Sequence, residues 1–208
     1  YLISRTLDVF EDNLSKKSRK RLNKVVSLIC DGEIRQFENK NNLEISKLDY
    51  FRRIRKKTAL LFALSMYIGA YESGVEGEEL HHLYNFALEM GMAFQIEDDL
   101  LDFKGKSRVV GKNIGQDLKA GIYTLPIILL LENKESKDKI QYLLKKKNEN
   151  QKIDKVLELI NKANTIEKSR TIAKRFVDRA ESHLQSLSDN KTKKTLLKIM
   201  NNQINRKY

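Results

Sequence analysis

Residues 94–105 read FQIEDDLLDFKG, a stretch that sets Glu97, Asp98, Asp99 and Asp102 among Phe94, Ile96, Leu100, Leu101 and Phe103. On a helix Asp98 and Asp102 stand at i and i+4, and Asp99 and Asp102 at i and i+3. The spacing therefore predicts three carboxylates on one side, within reach of a common point. Like charges held this way repel, and more strongly once water is removed, so the cluster calls for a positive partner. Lys104 and Lys106 would suffice for an ordinary solvated acidic face. The flanks point elsewhere: Gly91, Ala93, Phe94, Ile96, Leu100, Leu101 and Phe103 give this helix buried faces, so the carboxylates are expected to line a cavity. A calcium loop is excluded, because an EF-hand needs oxygens at alternating positions around a glycine turn. Hard oxygens on one rigid face suit Mg²⁺, which keeps several waters and shares itself with substrate phosphates. Lys57 in RIRKKTALLF and Lys112 in VVGKNIGQD are the candidate cations for such a phosphate. A lysine at the edge of an apolar helix is, by itself, more often a snorkelling surface residue.

The elements that must position these groups are helical. Apolar residues recur at three and four through most of the chain. Ser15 is expected to cap a helix over 16–39, Ser46 to start one that runs to Glu72, and a third to span 78–103. KGKSRVVGKNIGQDLKAG has four glycines and no sustained period, and is expected to be a long functional loop. Thr124 is the expected cap of the next helix, with Pro126 in its first turn, and four amphipathic helices follow from Ser136. ALLFALSMYIGA is apolar nearly all round, which predicts a helix enclosed by others.

Composition agrees with an all-α, single-domain chain over 1–208. Its 208 residues suffice for one core, and one proline and nine glycines leave little turn chemistry for a sheet-rich fold. Lys and Arg number 40 against 28 Asp and Glu, and the net charge of +12 attracts anions. Lone Cys30, in an apolar pattern, is expected to be a buried thiol, with no disulfide framework, which permits a cytoplasmic location. No apolar run is long enough for an integral membrane segment. The start, YLISRTLDVFEDN, has no Met and opens inside an amphipathic pattern, as expected of a chain truncated at its N-terminus.

KTALLF, then GMAFQIEDDLLD, then GKNIGQDLKAGIYTLP, with CDGEIRQF and YLISRTL upstream, resembles the trans-polyprenyl diphosphate synthases, the head-to-tail prenyltransferases, over about residues 1–133. The resemblance implies an antiparallel helical bundle around a deep central cavity, with two DDxxD motifs facing each other and holding Mg²⁺ against an allylic diphosphate. It makes Asp98, Asp99 and Asp102 the second motif and the metal ligands, with Asp98, Asp99 and Lys57 catalytic. Lys57 and Lys112 become diphosphate contacts, Thr58 and Gln95 substrate neighbours, and Phe94 an aromatic beside the reacting chain. The second substrate is isopentenyl diphosphate, the product is one five-carbon unit longer, and the assembly is a homodimer or a heteromer with a small regulatory subunit.

Two departures accompany the resemblance. The first DDxxD motif belongs before residue 1, so this chain by itself is expected to be inactive. Ile122 stands where short-chain members commonly carry a lysine, which favours medium- and long-chain synthases making quinone side chains over farnesyl or geranylgeranyl types. The rival from another class is a nucleic-acid module, suggested by KKSRKR, RRIRKK and KKK. These runs carry no interleaved aromatics, there is no Trp, and no helix-turn-helix or finger spacing stands out, so they are read as solvated faces. His81 and His82 point to different faces of a helix and are not expected to share a metal.

Overall fold

The computed structural model describes residues 14–103, 115–144 and 149–204. The YLISRTL segment, Lys104, Lys106, Lys112 and the KKK run lie outside these residues. Among the described residues every regular element is a helix: α1 (Lys16–Glu38), α2 (Lys47–Ile54), a π-turn (Arg55–Ala59), α3 (Leu60–Glu72), α4 (Gly77–Leu101), α5 (Gln116–Lys119), α6 (Leu125–Leu131), α7 (Lys134–Leu144), α8 (Glu149–Lys162), α9 (Thr165–Gln185) and α10 (Lys191–Ile204).

The helix starts follow local chemistry. Ser15 accepts from the Ser18 N–H, and Ser46 and Asp49 form a reciprocal capping box at α2. Thr124 holds the cap position of α6 without a side-chain cap bond, and Pro126 sits where the missing N–H costs nothing. Neighbours run antiparallel. Ser15 at the start of α1 donates to Glu72 at the end of α3, and Arg179 of α9 pairs with Glu89 while His183 meets His82 further back along α4.

Two clusters form the core. One joins Tyr50 and Ile54 of α2 and Leu60 and Ala63 of α3 to Met92, Ile96 and Leu100 of α4 and to the inner residues of α6, α7 and α8. The other packs Leu83, Phe86 and Met90 of α4 on Ala180 and Leu184 of α9 and Met200 of α10. Two expectations fail here. ALLFALSMYIGA is not enclosed by the described residues: α1 and α4 cover two sides of α3 and leave Leu61 48% exposed, with Ser65 and Gly69. The apolar helix that is enclosed is α6. Cys30 is exposed rather than buried, because α1 turns Leu22, Val25, Leu28 and Gly32 inward and leaves Cys30 on its outer face.

The helix expected over 46–72 is continuous but carries the π-turn at RKKTA, where one extra residue widens the coil and re-aims its side chains. Glycines on both flanking helices admit it. A Cβ on Gly32 would meet the Lys56 Cβ and the Lys57 backbone N at 3.1 Å, and one on Gly91 would lie 2.6 Å from the Ala59 Cα. The latter contact is with backbone that cannot swing aside. Gly91→Ala is therefore expected to cost about 1–3 kcal/mol despite the better helix propensity of alanine. Chemical denaturation checks this, and a variant as stable as the parent would mean that the π-turn shifts freely.

Candidate active site

The π-turn and the C-terminal end of α4 face each other across a short chain of hydrogen bonds. The Thr58 hydroxyl donates to Gln95 Oε1 at 2.5 Å, Gln95 Nε2 donates to Asp99 Oδ1 at 2.7 Å, and the Tyr50 hydroxyl donates to Asp99 Oδ2 at 2.8 Å. Tyr50 is fully buried and Asp99 is 9% exposed. Burial pushes the Asp99 carboxyl up from 3.8 to about 6, against the lowering pull of the Gln95 and Tyr50 hydrogen bonds and of the nearby Arg53 guanidinium. The same burial, followed by the Asp99 charge and its hydrogen bond, raises the Tyr50 phenol well above its ordinary value, so it stays a donor.

Arg53 is 5% exposed and donates from a terminal nitrogen to the Tyr123 carbonyl at 2.8 Å, with its guanidinium 5.4 Å from the centre of the Tyr50 ring. Burial pulls its pKa down, while Asp99 and Tyr50 hold it up. Reading RRIRKK as a uniformly solvated run is therefore wrong at Arg53. Its place three residues after Tyr50 and next to Ile54, on the buried side of α2, was the available signal.

The three carboxylates do not act as one set. Asp98 is exposed and Asp99 turns inward. Asp102 stands at the C-cap of α4 and accepts backbone N–H groups from Gln116 at 2.9 Å and Asp117 at 3.0 Å. Among the described residues no three carboxylate, imidazole or thiol side chains gather closely enough to hold a metal. Among the described residues the expected convergence of all three is not formed: Asp99 turns inward to Tyr50 and Gln95, and Asp102 is anchored to the α5 backbone. Burial and then the Asp102 charge raise Asp117, an acid that sequence reasoning passed over.

Lys57 projects from the π-turn to Glu33 Oε1 at 3.1 Å and Gln36 Oε1 at 3.2 Å. The GEIRQ segment and the lysine thus meet, although 21 or more positions separate them. Phe94 packs on Phe62 with ring centres 5.3 Å apart, an apolar wall beside Gln95. Lys57, Thr58, Phe94, Gln95, Asp98, Asp99 and Asp102 all belong to the π-turn and one helix end. His82 pairs with His183 (Nδ1 to Nδ1 3.2 Å) and His81 with Asn85, so the adjacent histidines diverge as expected.

Residues 1–161 match the polyprenyl synthetase family. The chain belongs to that family. It is 32% identical over 200 residues to component 2 of the heptaprenyl diphosphate synthase of Bacillus subtilis (strain 168), covering 96% of this chain and 57% of that protein. It is 30% identical to the octaprenyl diphosphate synthase of Escherichia coli (strain K12), covering 95% and 62%. The crystal structure of heptaprenyl diphosphate synthase from Staphylococcus aureus superposes with a TM-score of 0.86 at 30% identity, covering 92% of this chain and 60% of that one. The all-α fold expected from sequence is thus the polyprenyl synthetase fold. The chain spans about three-fifths of the length of the curated relatives it matches. No helix among the described residues is long and apolar enough to cross a membrane.

Proposed function

We propose that the intact polyprenyl synthetase lengthens an allylic diphosphate with isopentenyl diphosphate, giving a medium- or long-chain polyprenyl diphosphate of the kind that becomes a quinone side chain. The observation that carries this reading is the hydrogen-bonded chain Thr58–Gln95–Asp99–Tyr50, which locks the lysine-bearing π-turn to the DDLLD helix end.

The donor set fits Mg²⁺ at two positions. Asp98 and Asp102, one helical turn apart, would hold the ion, with Lys112 a further diphosphate contact, and the buried Asp99 acts through the residues it orients. Bound there, Mg²⁺ would neutralise charge developing on a diphosphate leaving group. Lys57 supplies a fixed positive charge for the same anion, held at the open edge of the site by Glu33 and Gln36 until the anion arrives. The Phe62–Phe94 pair keeps water from the allylic carbons while the C–O bond ionises, the isopentenyl double bond attacks, and a proton is lost. The relative named as component 2 supports a heteromer with a second subunit; that subunit is proposed to be small and regulatory, with a homodimer as the alternative assembly and the cytoplasm as the location.

The test is elongation of geranyl diphosphate and, separately, of farnesyl diphosphate with labelled isopentenyl diphosphate by the intact protein, alone and with any co-purifying subunit. Magnesium-dependent products longer than twenty carbons are expected. Products that stop at fifteen or twenty carbons would give the short-chain reading, and no elongation under any of these conditions would sink the assignment.

A further inference from the structure

A cavity of about 510 Å³ opens between α1, α2, the π-turn, α3 and α4, and none of the described candidate site residues lines it. Its rim is basic: Arg21 and Lys24 come from α1, Arg52 from α2, and Arg55 and Lys56 from the π-turn. Among the described residues no acidic side chain lines it. Its floor is apolar, made by Leu28, Leu60 and Leu64 with the rings of Tyr67 and Tyr84. Tyr67 is 3% exposed, and its hydroxyl has no hydrogen-bond partner among the described residues. A buried hydroxyl gains from a hydrogen-bond partner, so this one offers a polar group to a bound molecule. Arg21 already lies over the Tyr67 ring, 3.8 Å from its centre, which brings a cation to the same spot.

We infer that this cavity binds an amphiphilic phosphate: a phosphate or diphosphate head held by the basic rim, and an apolar chain lying on the leucine and tyrosine floor. Five cations in the lining, one of them (Lys56) paired with Asp31 beside the cavity, disfavour an apolar or cationic occupant. The volume falls in the range of small-molecule sites, and an apolar floor with a few polar groups is what such sites share. A nucleic acid would need a basic track with exposed rings, whereas here Tyr67 is buried and Tyr84 half-buried. Lys56, which pairs with Asp31 beside the cavity, precedes Lys57 on the π-turn, so the occupant and the candidate active site share one short element. The inference concerns binding without metal and does not depend on the elongation reading.

The experiment is calorimetric titration of the 208-residue chain with dodecyl phosphate below its micelle concentration, in EDTA. Saturable one-to-one binding is expected, at least tenfold tighter than inorganic phosphate and at least tenfold weaker in Arg52→Glu/Arg55→Glu. Tyr67→Phe should weaken it severalfold, and Asp98→Ala/Asp99→Ala should leave it unchanged even if that variant abolishes elongation in the intact protein. Both arginines are exposed, and Arg52→Gln/Arg55→Gln repeats the test if charge reversal disturbs folding. Co-sedimentation with phosphatidic acid vesicles identifies the source: retention that the double variant loses means a lipid headgroup, and no retention means a soluble phosphate. Either result upholds the site. Native affinity in both arginine variants, no saturable binding, or equal affinity for inorganic phosphate overturns it.

Discussion

Asp98→Ala in the intact protein should lower the elongation rate by on the order of 10³-fold while shifting folding stability by less than about 0.5 kcal/mol. The first figure follows from the proposed role: a carboxylate holding the ion that faces a leaving diphosphate would do at least as much as one transition-state hydrogen-bond donor, whose loss costs about 10²–10³-fold. The second follows from its place. Asp98 is exposed, and it stands outside the bonded chain Thr58–Gln95–Asp99–Tyr50. Exposed substitutions away from such chains stay within about 0.5 kcal/mol. Raising Mg²⁺ should recover part of the rate through apparent affinity for the metal. Steady-state rates across a magnesium series, beside a urea melt, check the prediction. A variant with normal turnover would show that the exposed carboxylate is not a ligand, and one that loses rate and stability together would make it structural.

That separation of Asp98 from Asp99 could not be seen in the sequence. The period of the helix is legible in FQIEDDLLDFKG, and it places both carboxylates near one face, but a helical wheel does not know what stands opposite. Tyr50 arrives from α2, 49 positions earlier, and the Gln116 and Asp117 N–H groups arrive from α5. Tyr50 turns Asp99 out of the expected cluster, and the two N–H groups tie Asp102 to α5 while leaving each of its oxygens a further lone pair. The π-turn was equally hidden, since RKKTA obeys ordinary helix propensities; it becomes intelligible only when Gly32 and Gly91 are seen pressing on it from two sides. Helix starts were legible because a cap is local: Ser15 and Ser46 act on N–H groups three residues away. The basic runs were legible as charge but not as shape. Their side chains divide between a buried hydrogen bond at Arg53, the cavity rim at Arg52, Arg55 and Lys56, and the candidate site at Lys57.

Asp99→Asn, in the 208-residue chain without divalent metal, should remove a pH dependence of about 3 kcal/mol and stabilise the fold near neutral pH. The carboxyl has a folded value of about 6 against 3.8 when unfolded, which converts to about 3 kcal/mol at about 1.4 kcal/mol for each pH unit. The sign follows from proton counting. Between these two values the folded chain binds the proton that the unfolded chain has released, so stability falls as pH rises. The contribution is fully present below 3.8 and is lost as pH rises through about 6. Above that the native fold carries a buried carboxylate that Gln95 and Tyr50 only partly repay. An asparagine never ionises. Its carbonyl can accept from Tyr50, and its amide can donate to Gln95 once that side chain flips and turns its own amide to the Thr58 hydroxyl, which accepts. Urea melts from pH 4 to pH 8 should show the parent losing more stability across this window than the variant, which keeps the loss due to the raised Asp117, with a gain of about 1–3 kcal/mol at pH 7. A parent whose stability rises over the same range would mean that the Asp99 pair to Arg53 outweighs burial. The cost to the native fold then has a functional meaning: the chain keeps at Asp99 an anion that its own packing opposes, beside the end of α4 where a cation is expected to bind.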